Sequence, residues 1–117
     1  MKESEKLKEI LDFFRRCPAR YQMAQEEVRK EDKRTQDILH RIELEAGYNE
    51  RCKLATQLRD SRKTRRKNKD IVEELEPVME YLGSNKKAVD AMGQLLGKMR
   101  KVEKYHESRS YHPRIER

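Results

Sequence analysis

The sequence predicts an all-α protein, a long antiparallel helical hairpin with shorter N- and C-terminal helices packed on it in a coiled-coil-like manner. Only 34% of the 117 residues are hydrophobic and 44% are charged, which suits elongated helices with a narrow apolar seam. Four glycines and three prolines leave long stretches of good helix formers. Apolar residues also recur at steps of three and four. This regularity favours folded helices over disorder, the competing interpretation of so polar a chain.

The first two helices are predicted on either side of Pro18. Residues 3–16 place apolar side chains at helical spacing, and the proline then predicts a stop, because the residue before a proline disfavours the helical conformation. Residues 19–46 resume the apolar pattern. Gly47 follows as the expected cap of the second helix.

The third helix is predicted over residues 49–82, with a kink or short break near Glu76 because Pro77 follows it. A heptad repeat runs along this helix and is apolar at both ends but polar in the middle. Its positions are Leu54, Leu58, Ser61, Arg65, Asn68, Val72, Leu75, Met79 and Leu82.

The fourth helix is predicted over residues 85–104, where the apolar stripe is most regular. Within it, Met92, Leu95, Leu96 and Met99 form either core or a surface that contacts a partner. Residues 1–104 are therefore expected to form a single helical domain. Residues 105–117 are expected to form a basic, partly extended C-terminal tail.

The sequence contains no recognisable catalytic or metal site. Cys17 and Cys52 lack metal-ligand spacing and are expected to be buried in a reducing compartment. His40 is expected to be a partly buried structural residue, while His106 and His112 are too scattered to bind a metal. A nucleophile with a nearby base and a glycine-rich phosphate loop are not discernible. We therefore expect a protein that is not an enzyme and has no cofactor.

The sequence also shows no apolar run typical of a signal peptide or a membrane span. We expect a soluble, cytoplasmic protein without a membrane partner. Its formal net charge of +7 favours an acidic partner such as nucleic acid. Residues 1–48 hold 11 basic and 11 acidic side chains, whereas residues 49–117 hold 18 basic and 11 acidic ones and carry the whole excess.

The strongest positive cluster is RDSRKTRRKNKD, residues 59–70, with seven Lys or Arg in twelve positions. In a hairpin that turns near Gly47, position 32 lies close to position 63, so acidic side chains of the second helix could neutralise part of this cluster. The possible partners are Glu26, Glu27, Glu31 and Asp32 with Arg62, Arg65, Arg66 and Lys69. One interpretation is a solvated face with weak cross-helix ion pairs.

The other interpretation is a phosphate-binding face, because cations at other azimuths must point outward unpaired. Phosphate contacts would make binding salt-sensitive and largely blind to base sequence. The C-terminal tail mixes aromatic, His and Arg side chains, which suits single-stranded nucleic acid. The alternative is a flexible tail that docks on its own domain or on nothing. The candidate residues are Arg59, Arg62, Lys63, Arg65, Arg66, Lys67, Lys69, Arg109 and Arg114.

The segments LHRIEL, RKTRRKNKD, LEPVMEYL and YHESRSYHPR carry a resemblance to small uncharacterised helical proteins of phages and prophages of Gram-positive bacteria, over roughly residues 36–114. The resemblance implies a bacterial host cell and no established activity. The first functional hypothesis is a non-enzymatic phage-type accessory protein that binds the phosphate backbone of DNA or RNA through a basic helix face. The alternative is a protein-binding module or phage inhibitor of a host protein, including a defence protein. So thin a core also gains from association, either with a second copy as a homo-oligomer or with another protein.

Overall fold

The computed structural model describes residues 2–109, and nearly all of these residues are helical. Helix α1 spans Glu3–Leu44, α2 spans Tyr48–Ser84 and α3 spans Lys86–Ser108. No β-strand occurs within this range. The predicted all-α class is confirmed, although three helices replace the four that the sequence predicted.

Pro18 does not divide the chain into two helices, so the prediction of separate helices over 3–16 and 19–46 is wrong. The proline lies inside α1, which continues for 42 residues. A proline inside a helix removes one backbone hydrogen bond and costs about 3 kcal/mol or more. Leu11, Cys17 and Ala24 are buried on either side of it. Burial of Leu11 alone contributes roughly 1.5–3 kcal/mol, and the smaller side chains of Cys17 and Ala24 add to this. Burial along the seam therefore offsets the missing hydrogen bond.

Pro77 is likewise accommodated within a continuous helix. Helix α2 extends through it to Ser84, so the short break predicted near Glu76 is absent. Leu75 is buried just before the proline and Met79 is half-buried just after it. The same seam burial therefore holds the helix together across this position.

Gly47 does not cap the end of α1 as predicted. Helix α1 ends at Leu44, and no glycine within residues 2–109 has the positive φ that a left-handed cap requires. Gly47 instead lies directly before α2. Its carbonyl accepts a hydrogen bond from the Arg51 amide at 3.0 Å, and its own N–H donates to Glu45 Oε1 at 3.0 Å. The glycine thus belongs to the start of the second helix.

Helix α3 extends beyond its predicted end at residue 104. Residues 105–108, which were assigned to the basic, partly extended tail, complete the last turn of α3. The Ser108 hydroxyl donates to the Tyr105 carbonyl at 3.3 Å and satisfies one of the backbone acceptors that every helix end leaves open. The rest of the predicted tail, residues 110–117, lies outside the described residues.

The chain divides into two compact units. Within the described residues, unit 1 combines residues 2–15 with residues 82–109, and unit 2 consists of residues 16–81. In unit 1, the Ser4 hydroxyl donates to Glu103 Oε2 at 2.6 Å and Lys2 forms an ion pair with Glu107. These contacts join the start of α1 to the end of α3 within that unit.

Unit 2 brings α1 and α2 together through the heptad positions predicted for α2. All of these positions, from Leu54 to Met79, are buried or half-buried, which confirms the predicted repeat. Residues 25–29 line a groove with residues 69–72, so the early part of α1 meets the late part of α2. The facing positions on α1 are Cys17, Tyr21, Ala24, Val28, Glu31, Thr35, Ile38 and Ile42.

Two residues expected to be buried are exposed. Cys17 is 2% exposed and confirms the prediction, whereas Cys52 and His40 are exposed and contradict it. Cys52 lies two positions before the buried Leu54, and His40 lies two positions after the buried Ile38. Because each helical residue advances about 100° around the axis, both side chains point away from the seam.

Candidate nucleic-acid interface

The middle of unit 2 contains a buried polar layer directly beneath the basic cluster. Glu31 is 2% exposed and Ser61 is 3% exposed. The Ser61 hydroxyl donates to Glu31 Oε2 at 2.5 Å, and the Thr35 hydroxyl lies 3.3 Å from the Ser61 hydroxyl. The polar middle of the α2 seam therefore meets the polar middle of α1, as the hairpin register predicts.

Two of the acidic side chains proposed as partners of the basic cluster, Glu27 and Glu31, are engaged by cations of the same helix. Arg34 Nη1 donates to Glu31 Oε1 at 2.6 Å, although Arg34 itself remains 60% exposed. Lys30 lies 3.4 Å from Glu27 in the same three-residue spacing. These two carboxylates are thus neutralised locally by neighbours that are favourable on a helix surface.

Asp32 forms the one ion pair between α1 and α2 within the described residues. Arg65 Nε donates to Asp32 Oδ1 at 2.6 Å, which confirms one of the predicted cross-helix pairs. Glu26 instead accepts a hydrogen bond from Gln22. The other predicted pairings, with Arg62, Arg66 and Lys69, are not formed, so that expectation is wrong for three of the four cations.

Most cations of the basic cluster therefore remain without an ion pair among residues 2–109. Arg59 approaches Asp60 at 3.7 Å, but both side chains are about two-thirds exposed, and such pairs contribute little. The cluster as a whole contains far more positive than negative charge in contact with solvent. The cations without an ion pair are Arg62, Lys63, Arg66, Lys67 and Lys69.

The outward side of α2 forms a basic face, which we define as Arg59, Lys63, Arg66 and Lys67. All four residues are exposed. Their spacing of three, four and eight positions places them on the side of the helix opposite the buried Ser61. Arg59 and Lys67 lie eight positions apart, so the face spans about 12 Å of helix axis.

Beside this face lies a basic groove between α1 and α2, which we define as Arg29, Arg62, Arg65 and Lys69. One part of the groove is lined by Asp32, Thr35, Arg62, Arg65 and Arg66. The adjoining part is lined by Gln25, Val28, Arg29, Lys69 and Val72. Asp32 is the single carboxylate in these linings, which also include Arg66 of the basic face, so five cations face one anion.

The groove on the opposite side of the same helix pair is electrically balanced. It contains two arginines and two aspartates together with neutral side chains, so positive charge is concentrated on one side of unit 2. Its lining residues are Arg34, Asp37, Ile38, Arg41, Gln57, Asp60, Ser61 and Thr64.

The structure distributes the predicted site residues unevenly. The seven candidates between Arg59 and Lys69 lie on α2 in unit 2, whereas Arg109 lies in unit 1 at the end of α3. Arg114 lies outside the described residues. Sequence reasoning missed Arg29, although its position one residue after the half-buried Val28 signals a place beside the seam.

Other classes of site are not apparent in the part of the chain that the structure covers. Its His, Cys, Asp and Glu side chains form no group of three that could hold a metal ion. None of the three helices carries an apolar stretch that would reach across a lipid bilayer. Comparison with protein-family models, with curated proteins and with solved structures finds no match to this chain.

Proposed function

We propose that this protein is a non-enzymatic nucleic-acid-binding protein that contacts phosphates through the basic face and the basic groove. A coiled-coil-like antiparallel hairpin, formed by α1 and α2, would present both surfaces on one side. The observation that carries the proposal is the shortage of carboxylates. Of the four α1 carboxylates opposite the basic cluster, Glu26, Glu27 and Glu31 are engaged within their own helix and only Asp32 pairs with a cation of α2, which leaves the other cations of α2 available to an external polyanion.

Phosphate binding of this kind depends on charge and spacing rather than on base identity. Lys and Arg side chains displace the counterions that condense on nucleic acid, so affinity falls steeply as salt rises. The basic face and the basic groove contain no aromatic side chain, and stacking on bases therefore has no platform there. We expect binding to duplex DNA with little preference for sequence.

A pair of variants with equal net charge tests the proposal. The basic-face variant replaces Arg59, Lys63, Arg66 and Lys67 with Gln. The control variant replaces four exposed cations that lie outside unit 2. Each variant lowers the formal net charge by four, from +7 to +3. The control positions are Lys8, Lys86, Lys87 and Lys101.

Binding to a labelled duplex of about 25 base pairs is measured between about 50 and 200 mM salt. The basic-face variant is expected to bind at least about 100-fold more weakly at about 0.1 M salt, and its slope of log affinity against log salt should be smaller by about 3 to 4. The control variant should retain both affinity and slope. Equal losses in the two variants, or no binding by the unmodified protein at low salt, would refute the proposal.

An acidic protein surface is the second candidate partner, because unpaired cations attract any polyanion. This version corresponds to a protein-binding module or an inhibitor of a host protein. Capture from host lysate with and without nuclease separates the two candidates. A partner that is lost after nuclease treatment supports nucleic acid, whereas one identified protein that persists, and that the basic-face variant fails to capture, supports the protein-binding alternative.

A further inference from the structure

Unit 1 exposes several large apolar side chains on both of its helical segments. Ile10 is 49% exposed and Phe13 is 43% exposed on α1. On α3, Leu95, Val102 and Tyr105 are 50%, 53% and 62% exposed. We refer to these five residues as the apolar flank. They are notable in a chain with only 34% hydrophobic residues, because few apolar groups are available to be left in water.

Helix geometry places these residues on one side of unit 1. Ile10 directly precedes the buried Leu11, and Leu95 directly precedes the buried Leu96. Lys2 pairs with Glu107 and Ser4 with Glu103, so the two segments run in opposite directions. In an antiparallel pair of helices, residues that take the same place beside the seam lie on the same flank of the pair.

The opposite flank of unit 1 is polar, and four of its side chains pair with one another. Lys2 is paired with Glu107, and the Glu103 carboxylate accepts from both the amide and the hydroxyl of Ser4. The two flanks of unit 1 therefore differ in polarity. The polar flank is lined by Lys2, Ser4, Glu5, Lys8, Arg100, Glu103, Lys104 and Glu107.

The buried core of unit 1 is small beside the apolar flank. Within its described residues, Leu11 and Leu96 are the large hydrophobic side chains that are fully buried. The five residues of the apolar flank expose roughly half of their surface, or about 450 Å² in total, since a large aromatic side chain alone covers about 150–250 Å². More apolar surface is therefore open on this flank than is enclosed by two leucines.

We propose that the apolar flank is a homodimer interface that pairs with the same flank of a second copy of this chain. A stable interface buries about 800 Å² per partner, so the flank supplies about half of that area before its neighbours are counted. The aliphatic parts of Lys6 and Lys98 border the flank and extend it. A two-fold axis would oppose two helical pairs and complete a four-helix core.

Sedimentation equilibrium tests this proposal with two matched double variants. The unmodified protein is expected to have twice the monomer mass of 14.2 kDa. Leu95→Gln with Val102→Gln should raise the dissociation constant at least about 100-fold, because each substitution acts twice in a two-fold interface. Met23→Gln with Leu44→Gln removes apolar side chains of similar exposure outside the flank, and this control should remain dimeric.

The outcomes distinguish the possible occupants of the flank. A monomeric unmodified protein at about 100 μM, well above the micromolar affinity of a modest interface, would overturn the proposal. So would a dimer that survives both flank substitutions. If deletion of residues 110–117 converts a monomer into a dimer, the C-terminal segment covers the flank instead, and this result also overturns the proposal. The basic-face variant should stay dimeric, so the dimer proposal and the nucleic-acid proposal can be refuted independently of each other.

Discussion

The buried polar layer of unit 2 allows a quantitative test of what holds α1 and α2 in register. Ser61→Ala removes the hydroxyl that donates to Glu31 Oε2 at 2.5 Å, at a site where both residues are at most 3% exposed. Hydrogen bonds to charged groups contribute about 1.5–3 kcal/mol, and the carboxylate loses this donor without gaining water. Ser61→Ala is therefore expected to lower the free energy of unfolding by about 2 kcal/mol.

A second substitution separates the hydrogen bond from the cost of the buried charge. Glu31→Met combined with Ser61→Ala removes both partners and fills the space with an apolar side chain, and such replacements are often neutral or stabilising. Arg34 loses its partner in this variant, but its side chain is already 60% exposed and is solvated by water. The double variant should therefore recover at least the stability lost in Ser61→Ala alone.

The assay is urea-induced unfolding followed by circular dichroism at one fixed protein concentration, since unfolding of a dimer depends on concentration. Thr64→Ala serves as the control because it removes an exposed hydroxyl three residues away, and it should change the free energy of unfolding by less than about 0.5 kcal/mol. Loss of less than about 0.5 kcal/mol in Ser61→Ala, or a double variant no more stable than that single variant, would refute the reasoning.

Two further predictions concern single contacts. Asp32→Asn removes the partner of Arg65, so duplex DNA should bind more tightly, with a slope of log affinity against log salt that is steeper by about 0.9. The control variant, Asp37→Asn in the balanced groove, should leave this slope unchanged. An unchanged slope in Asp32→Asn would contradict the role of the basic groove. The Ser4 hydrogen bonds lower the pKa of the Glu103 carboxyl below its ordinary value of 4.5. The ionised carboxylate therefore stabilises the folded state fully above pH 4.5, and this stabilisation is lost as the pH falls through the lowered pKa. Ser4→Ala should raise the pKa of Glu103 in an NMR titration, and no change would show that the hydrogen bond is absent in solution.

The features of the fold that follow from local periodicity were predictable. The heptad from Leu54 to Leu82 is read directly from residue spacing, and every one of its positions is buried or half-buried. The alignment of the two polar gaps also followed, because a hairpin that turns near Gly47 has only one approximate register. Glu31 and Ser61 meet for this reason.

The remaining features could not be predicted, because each depends on opposing interactions whose relative free energies cannot be read from the sequence. Pro18 carries a strong local signal for a helix end, but burial on both sides of it is a property of packing. The ion-pair partner of Glu31 could not be predicted either, because Arg34 on the same helix and the cations of α2 were all within reach of its carboxylate. Arg29 was missed because its contribution arises only when α1 and α2 together form a groove.

The contrast between the two cysteines gives this protein a natural attachment point for a fluorescent reporter. Burial raises the pKa of the Cys17 thiol, so this sulfur is both shielded and slow to form the reactive thiolate. Cys52 is open to solvent and lies two helical turns before Arg59, about 10 Å along α2. A dye coupled to the native chain would therefore report on events at the basic face without any engineered mutation.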